Sequence, residues 1–146
     1  MLFGDVAQGV VRLNEVGTIA QHTWDGLPVH YPHVSLDAFV VMPNHVHGII
    51  LLTDDLVGAA LKPIPTRLHA LPEIVRAFKS FSARAINERQ GSRGASVWQR
   101  NYYEHIVRDE KDLSRIRQYI ANNPAGWAED GNNPVVWDRH ARRGGF

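Results

Sequence analysis

Phe39-Val40-Val41-Met42-Pro43-Asn44-His45-Val46-His47-Gly48-Ile49-Ile50-Leu51-Leu52 sets two apolar, β-branched runs on either side of Pro-Asn turn chemistry. That order predicts a hairpin with strands over residues 39–42 and 46–52. The runs are continuous rather than alternating, so both faces of these strands are expected to be covered. Upstream, the polar and apolar residues alternate weakly, which predicts a strand or hairpin near residues 10–14 and a short helix around 18–24. Downstream, residues 53–70 read as a loop with Asp54-Asp55, Pro63 and Pro65. A helix then opens with Pro72 near its first position. Ile74, Phe78, Phe81 and Ala85 lay an apolar stripe along it, with Arg76, Lys79 and Arg84 off the stripe. Gly91-Ser92-Arg93-Gly94 breaks the chain, and residues 97–107 read as a long strand rich in aromatic side chains. Asp109 or Asp112 can cap a last helix that carries Leu113, Ile116 and Ile120 and ends at Asn122-Asn123-Pro124. The tail, residues 125–146, is expected to pack loosely and fray.

Strands and helices mixed in this way make an α+β chain. Its 146 residues, 44% of them hydrophobic, suit one globular domain over 1–146 with a core of about 3–124. With no cysteine, disulfides, thiolate metal sites and a cysteine nucleophile are excluded. The N-terminus has no basic flank followed by an apolar core, and no apolar run approaches the roughly 20 residues of a bilayer span. A cytoplasmic, nucleoid-associated protein with no membrane partner is the expectation. The net charge of +1 conceals an asymmetry. Residues 1–61 carry one cation and six anions, whereas residues 62–119 carry twelve cations and six anions. A basic half beside an acidic half points to a polyanion-binding face, the alternative being ordinary solvated helix faces.

Two pairs of residues carry chemical content. His45 and His47 lie at i and i+2 of a strand, which puts both imidazoles on one face about 6.6 Å apart by strand rise, and two such rings can chelate one divalent ion. The pattern is weak alone, and two ligands do not complete a site. Tyr119 and Asn123 lie four residues apart on the terminal helix, so a phenol and an amide carbonyl share one face. The competing reading is that Tyr119 packs, because Ile116 and Ile120 flank it.

In these residues the sequence resembles a known family. Met42-Pro43-Asn44-His45-Val46-His47-Gly48, Trp98-Gln99-Arg100-Asn101-Tyr102-Tyr103 and Arg117-Gln118-Tyr119-Ile120-Ala121-Asn122-Asn123-Pro124 are similar to three blocks of the REP-associated tyrosine transposases. These belong to the insertion-sequence-200-like, single-tyrosine branch of the HUH nucleases. The resemblance covers residues 3–137 and implies a ferredoxin-like sandwich, an antiparallel sheet with helices. Members usually begin with a basic segment and an apolar inner strand ahead of Leu2-Phe3-Gly4. This chain starts just after it, so exposed strand edges and apolar surface are expected.

The resemblance further implies that His45 and His47 bind Mg²⁺ or Mn²⁺, that Asn123 is the third ligand and that Tyr119 is the nucleophile. The activity implied is metal-dependent single-strand DNA cleavage and strand transfer at repeat hairpins through a 5′-phosphotyrosine. Arg76, Lys79, Arg84, Arg93, Arg100, Arg115 and Arg117 are then the candidates for contacts to the phosphates of single-stranded or hairpin DNA. Tyr102 and Tyr103 point to opposite faces of their expected strand and are assigned to packing or base stacking. Family members work as monomers or homodimers. The alternative from a different class is a non-catalytic nucleic-acid-binding domain, domesticated or decayed, that keeps the same fold. A replication or mobilisation nuclease fits less well, because the chain has no room for a helicase or relaxase extension.

Overall fold

The computed structural model describes residues 2–52, 71–100 and 102–130, and these form an α+β fold. Strands β1 (Gly4–Ala7) and β2 (Val10–Leu13) pair antiparallel with Asp5 opposite Arg12. The two residues between them, Gln8 and Gly9, both take positive φ (53° and 74°), as a two-residue hairpin turn of matching twist requires. Helices α1 (Glu15–Asp25) and α2 (Leu27–His30) follow, then β3 (Val34–Val41) and β4 (Val46–Leu52). After these come α3 (Leu71–Gln90), α4 (Glu110–Asn122) and a 3-10 turn, Trp127–Glu129. The described strands make two two-stranded sheets, β1–β2 and β3–β4, rather than one continuous sheet. Among the described residues no helix is long and apolar enough to cross a membrane.

The hairpin read from residues 39–52 is present, with β3 starting five residues earlier than its apolar run. Three expectations are corrected. The β3–β4 hairpin is not covered on both faces: Val34, Val41 and Ile49 are buried, but Leu51 and Leu52 are exposed. Residues 97–100 and 102–107 form no strand. A strand needs a neighbour to complete its ladder and a surface to rest its side chains on, and here Tyr103 and Ile106 stand 82% and 75% exposed. The buried stripe of α3 is Ile74, Phe78, Ser82 and Ile86, rotated from the apolar stripe read in the sequence. Ser82 can occupy the core because its hydroxyl donates to the Phe78 carbonyl at 2.6 Å. The loop read over residues 53–70 lies outside the described residues.

The chain divides into two compact units. One comprises Ile19–Asp37 and Ile50–Val97. Its core holds Ala20, Trp24, Leu27, Val34, Ile74, Phe78 and Ile86, with Trp24 edge-on to Phe78 at 6.0 Å. Asn87 staples the exit of α3 by donating to the Ala95 carbonyl at 2.8 Å.

The other unit comprises Met1–Thr18, Ala38–Ile49 and Trp98–Phe146, and it holds the candidate site. Asn14 organises its start. The side-chain oxygen of Asn14 accepts from Gly17 N–H at 2.9 Å, which satisfies a first-turn donor of α1, and its amide donates to the Leu2 carbonyl at 2.9 Å. Asn14 N–H donates to Phe3 C=O at 3.0 Å, and Phe3 N–H in turn donates to Pro43 C=O at 2.9 Å. Phe3 is buried and packs on Trp98, ring centroids 5.0 Å apart. The hairpin turn carrying Pro43 and Asn44 is thus tied to the first residues of the chain.

Gly17 is the tight point of this arrangement, because a Cβ there would collide with the backbone carbonyl of Phe3 and crowd Leu13. Gly17→Ala is therefore expected to destabilise the chain by about 1–3 kcal/mol, although alanine is the better helix former. Urea denaturation of the variant against the native chain checks this, and unchanged stability would refute the close approach.

Candidate functional site

His45 and His47 flank the first residue of β4, and the turn before them fixes the first ring. Met42 N–H donates to His45 C=O at 2.8 Å, closing the turn, while Pro43 is buried and held by Phe3. The spacing read from the sequence brings the two rings closer than strand rise alone: Nε2 of His45 lies 3.0 Å from Nε2 of His47. Two nitrogen donors held about 2.1 Å from one ion at a right angle stand about 3.0 Å apart, so this separation fits a chelate with octahedral geometry. Nδ1 of His45 lies 2.8 Å from Asn44 Oδ1, and the ring of Trp127 covers His45 at 6.0 Å. His45 is 2% exposed.

Burial holds both imidazoles neutral. The His45 pKa is lowered to about 4, chiefly by desolvation and then by neighbouring His47, against an opposing pull from Asp130. Desolvation lowers His47 as well, again opposed by Asp130. Neutral rings carry the lone pairs that a metal needs. A pH dependence of stability follows. The folded pKa lies below the unfolded value near 6.5, so the unfolded chain takes up the proton first. The stability is fully present above about pH 6.5 and is lost as pH falls toward 4. Between pH 7.5 and pH 5, chelator-treated protein is expected to lose about 2 kcal/mol through His45 alone in urea denaturation. A flat profile over that range would contradict the buried neutral ring.

Helix α4 supplies the other two residues. Asp109 caps it, its carboxylate accepting from Asp112 N–H at 2.7 Å, which decides between the two caps, Asp109 and Asp112, that the sequence offers. Ile120 faces the core, so Tyr119, one residue away, is turned outward and is 60% exposed. This answers the packing alternative: the phenol ring does not join Ile120 in the core but stands edge-on to His47, centroids 5.6 Å apart. Its hydroxyl has no hydrogen-bond partner among the described residues. One turn on, Asn123 is 7% exposed and donates its amide to the Tyr119 carbonyl at 3.3 Å. Its Oδ1 accepts no hydrogen bond among the described residues, and a buried carbonyl oxygen of that kind is a candidate ligand. No three His, Cys, Asp or Glu side chains cluster among the described residues. His45 and His47 are two residues of one of those types, and the third candidate donor, Asn123, is an amide that such a cluster does not count.

The seven candidate cations divide between the two units, four in one and three in the other. Arg76 and Arg84 are exposed and lie opposite the buried stripe of α3. Lys79, at its margin, is half-buried, and desolvation lowers its pKa. Arg93 is exposed in the turn after α3. Arg100, Arg115 and Arg117 are exposed in the unit that carries the histidines. Arg115 is engaged by Asp112 at 2.6 Å, and His105 binds the other oxygen of the same carboxylate at 2.9 Å. Tyr102 has its hydroxyl pKa raised by desolvation and by Glu104, which disfavours its phenolate.

Two residues of the site lie in the segment expected to fray. Trp127 is buried against His45, and Asp130, at the end of the same 3-10 turn, acts electrostatically on both histidines. A single 3-10 turn has no periodicity to reveal it. The only signals were the break at Pro124 and the tryptophan itself.

Known proteins resemble this chain. The family profile described as "Transposase IS200 like" matches residues 61–123, a stretch that includes Tyr119 and Asn123 and lies downstream of both histidines. A Haemophilus influenzae protein of uncharacterised function is 40% identical over 138 residues, 88% of this chain and 76% of that protein. A second Haemophilus influenzae protein, provisionally named a REP-associated tyrosine transposase, is 33% identical over 98 residues, 65% of this chain. The match spans about half of that relative's length, 51%. No solved structure matches the chain at a significant level.

Proposed function

We propose that the chain is an IS200-like transposase of the REP-associated tyrosine branch, which its matches resemble, and that it cleaves and rejoins single-stranded DNA at repeat hairpins through Tyr119. The observation that carries this reading is the convergence of a neutral imidazole pair, Nε2 to Nε2 at 3.0 Å, with an exposed tyrosine edge-on to it at 5.6 Å.

Tyrosine is a poor nucleophile at neutral pH, and a phosphodiester repels attack. His45 Nε2, His47 Nε2 and Asn123 Oδ1 would hold Mg²⁺ or Mn²⁺, which, bound by neutral ligands, supplies its full charge to polarise a non-bridging phosphate oxygen. The exposed hydroxyl of Tyr119 attacks phosphorus in line with the departing 3′ oxygen. An O–P bond forms to the phenol, the P–O3′ bond breaks, the phenol proton passes to solvent and the 3′ oxygen takes one up. The product is a 5′-phosphotyrosine and a free 3′-hydroxyl. The phosphotyrosyl linkage keeps one ester bond for the one broken, so attack by another 3′-hydroxyl restores the tyrosine and joins strands without a nucleotide cofactor. Arg76, Lys79, Arg84, Arg93, Arg100 and Arg117 contact backbone phosphates in this reading, with Arg115 available when it leaves Asp112.

Incubation with a labelled single-stranded hairpin oligonucleotide and Mn²⁺ tests the proposal. A detergent-resistant protein–DNA band on a denaturing gel, with release of a 3′-hydroxyl fragment that a polymerase extends, is the expected result. Retained hairpin binding in a gel shift with no covalent band would overturn it in favour of a non-catalytic binding domain.

A further inference from the structure

Asn44 contributes no ligand in the reading above, yet its side chain makes the shortest polar contact to the imidazole pair. Its Oδ1 lies 2.8 Å from Nδ1 of His45. An amide oxygen only accepts hydrogen bonds, so the proton of His45 must sit on Nδ1. The neutral ring then has a bare lone pair on Nε2. That lone pair faces Nε2 of His47 at 3.0 Å, and since a hydrogen bond needs one proton, His47 must carry its own on Nε2 and donate it.

We propose that Asn44 is a positioning residue: it fixes His45 as the Nδ1–H tautomer with Nε2 turned to the ion site, while His47 closes that site in the metal-free chain by donating to the same lone pair. The inference rests on the metal site proposed above. An outer partner on the far nitrogen of a ligating histidine sets both tautomer and ring orientation. Here that partner is the neighbouring residue, held in a turn that is fastened at both ends by Met42 to His45 and by Phe3 to Pro43. The two histidines differ in consequence. His45 is ready to ligate as it stands, whereas His47 must move its proton from Nε2 to Nδ1 before it can ligate, with no net proton released.

Long-range ¹H–¹⁵N correlation spectra of the metal-free chain read each tautomer directly, without metal or DNA. The expected result is an Nδ1–H signal for His45 and an Nε2–H signal for His47. In Asn44→Leu the His45 tautomer is expected to lose its bias, and Mn²⁺ affinity by calorimetry to fall 10- to 100-fold. Asn44→Asp restores an acceptor at the same place and is expected to keep both the tautomer and the affinity within a few-fold. Asn44→Ala repeats the test should the leucine variant not fold. An Nε2–H signal for His45 in the native chain, or an Nδ1–H signal that survives in Asn44→Leu, would overturn the role of Asn44. Native protein with the expected tautomers but no Mn²⁺ binding would instead overturn the metal site and leave the tautomer assignment standing.

Discussion

Tyr119→Phe is expected to abolish covalent capture of the hairpin oligonucleotide and to lower cleavage by about 10³-fold or more, because the variant lacks the hydroxyl proposed to attack phosphorus. The same substitution leaves the fold intact. Tyr119 is 60% exposed and its hydroxyl has no hydrogen-bond partner among the described residues, so stability is expected to move by less than about 0.5 kcal/mol. Unaltered melting with lost chemistry separates a nucleophile from a packing residue. Retention of the covalent band in Tyr119→Phe would place the nucleophile elsewhere. Tyr102 and Tyr103 are the nearest alternatives in sequence to that helix, and Tyr102 is disfavoured by its raised pKa.

His45→Ala carries the second large effect, and it differs in kind because it acts on two links at once. The ring is buried between His47 and Trp127, at centroid distances of 4.7 and 6.0 Å. Its removal leaves a cavity, and it leaves the proton that His47 donates without an acceptor. A donor stripped of its partner costs up to about 1–3 kcal/mol when fully buried and less at the half-buried His47, and the lost packing adds to this. The expected loss is about 2–4 kcal/mol in urea denaturation, together with a fall of at least about 100-fold in Mn²⁺ affinity. His47→Ala, at a half-buried position, is expected to lose the metal equally while costing less stability. Native-like Mn²⁺ binding in either variant would remove that residue from the ligand set.

Where the fold was legible in the sequence, a local rule and the tertiary context agreed. The β3–β4 hairpin follows from β-branched runs around Pro43-Asn44, and the start of α4 from Asp109, whose carboxylate does cap it. Spacing alone marked both pairs only weakly, His45 with His47 at period two and Tyr119 with Asn123 at one helical turn, and the family resemblance gave them their roles. The misreadings share a cause. Residues 97–107 have the side chains of a strand, but propensity describes what would fit a sheet, not whether a neighbouring strand is there to be fitted. Ser82 looked like a gap in the stripe of α3, yet its hydroxyl is satisfied by Phe78 within the helix, which lets it take a core position. Trp127 and Asp130 had no periodic signal, and their part in the site comes only from chain reversal after Asn123. Asn44 was read as turn chemistry. That reading holds, and the same turn is what delivers its Oδ1 to His45.

Peptide mapping of the covalent product tests the central claim most directly. The chain is incubated with the hairpin oligonucleotide and Mn²⁺, the DNA is trimmed with nuclease, and trypsin releases the peptide that begins after Arg117. A nucleotide mass on Tyr119, in a fragment otherwise unmodified, is the predicted result. A nucleotide found on Tyr102 or Tyr103, or no modified peptide from protein that still binds the hairpin, would contradict the account.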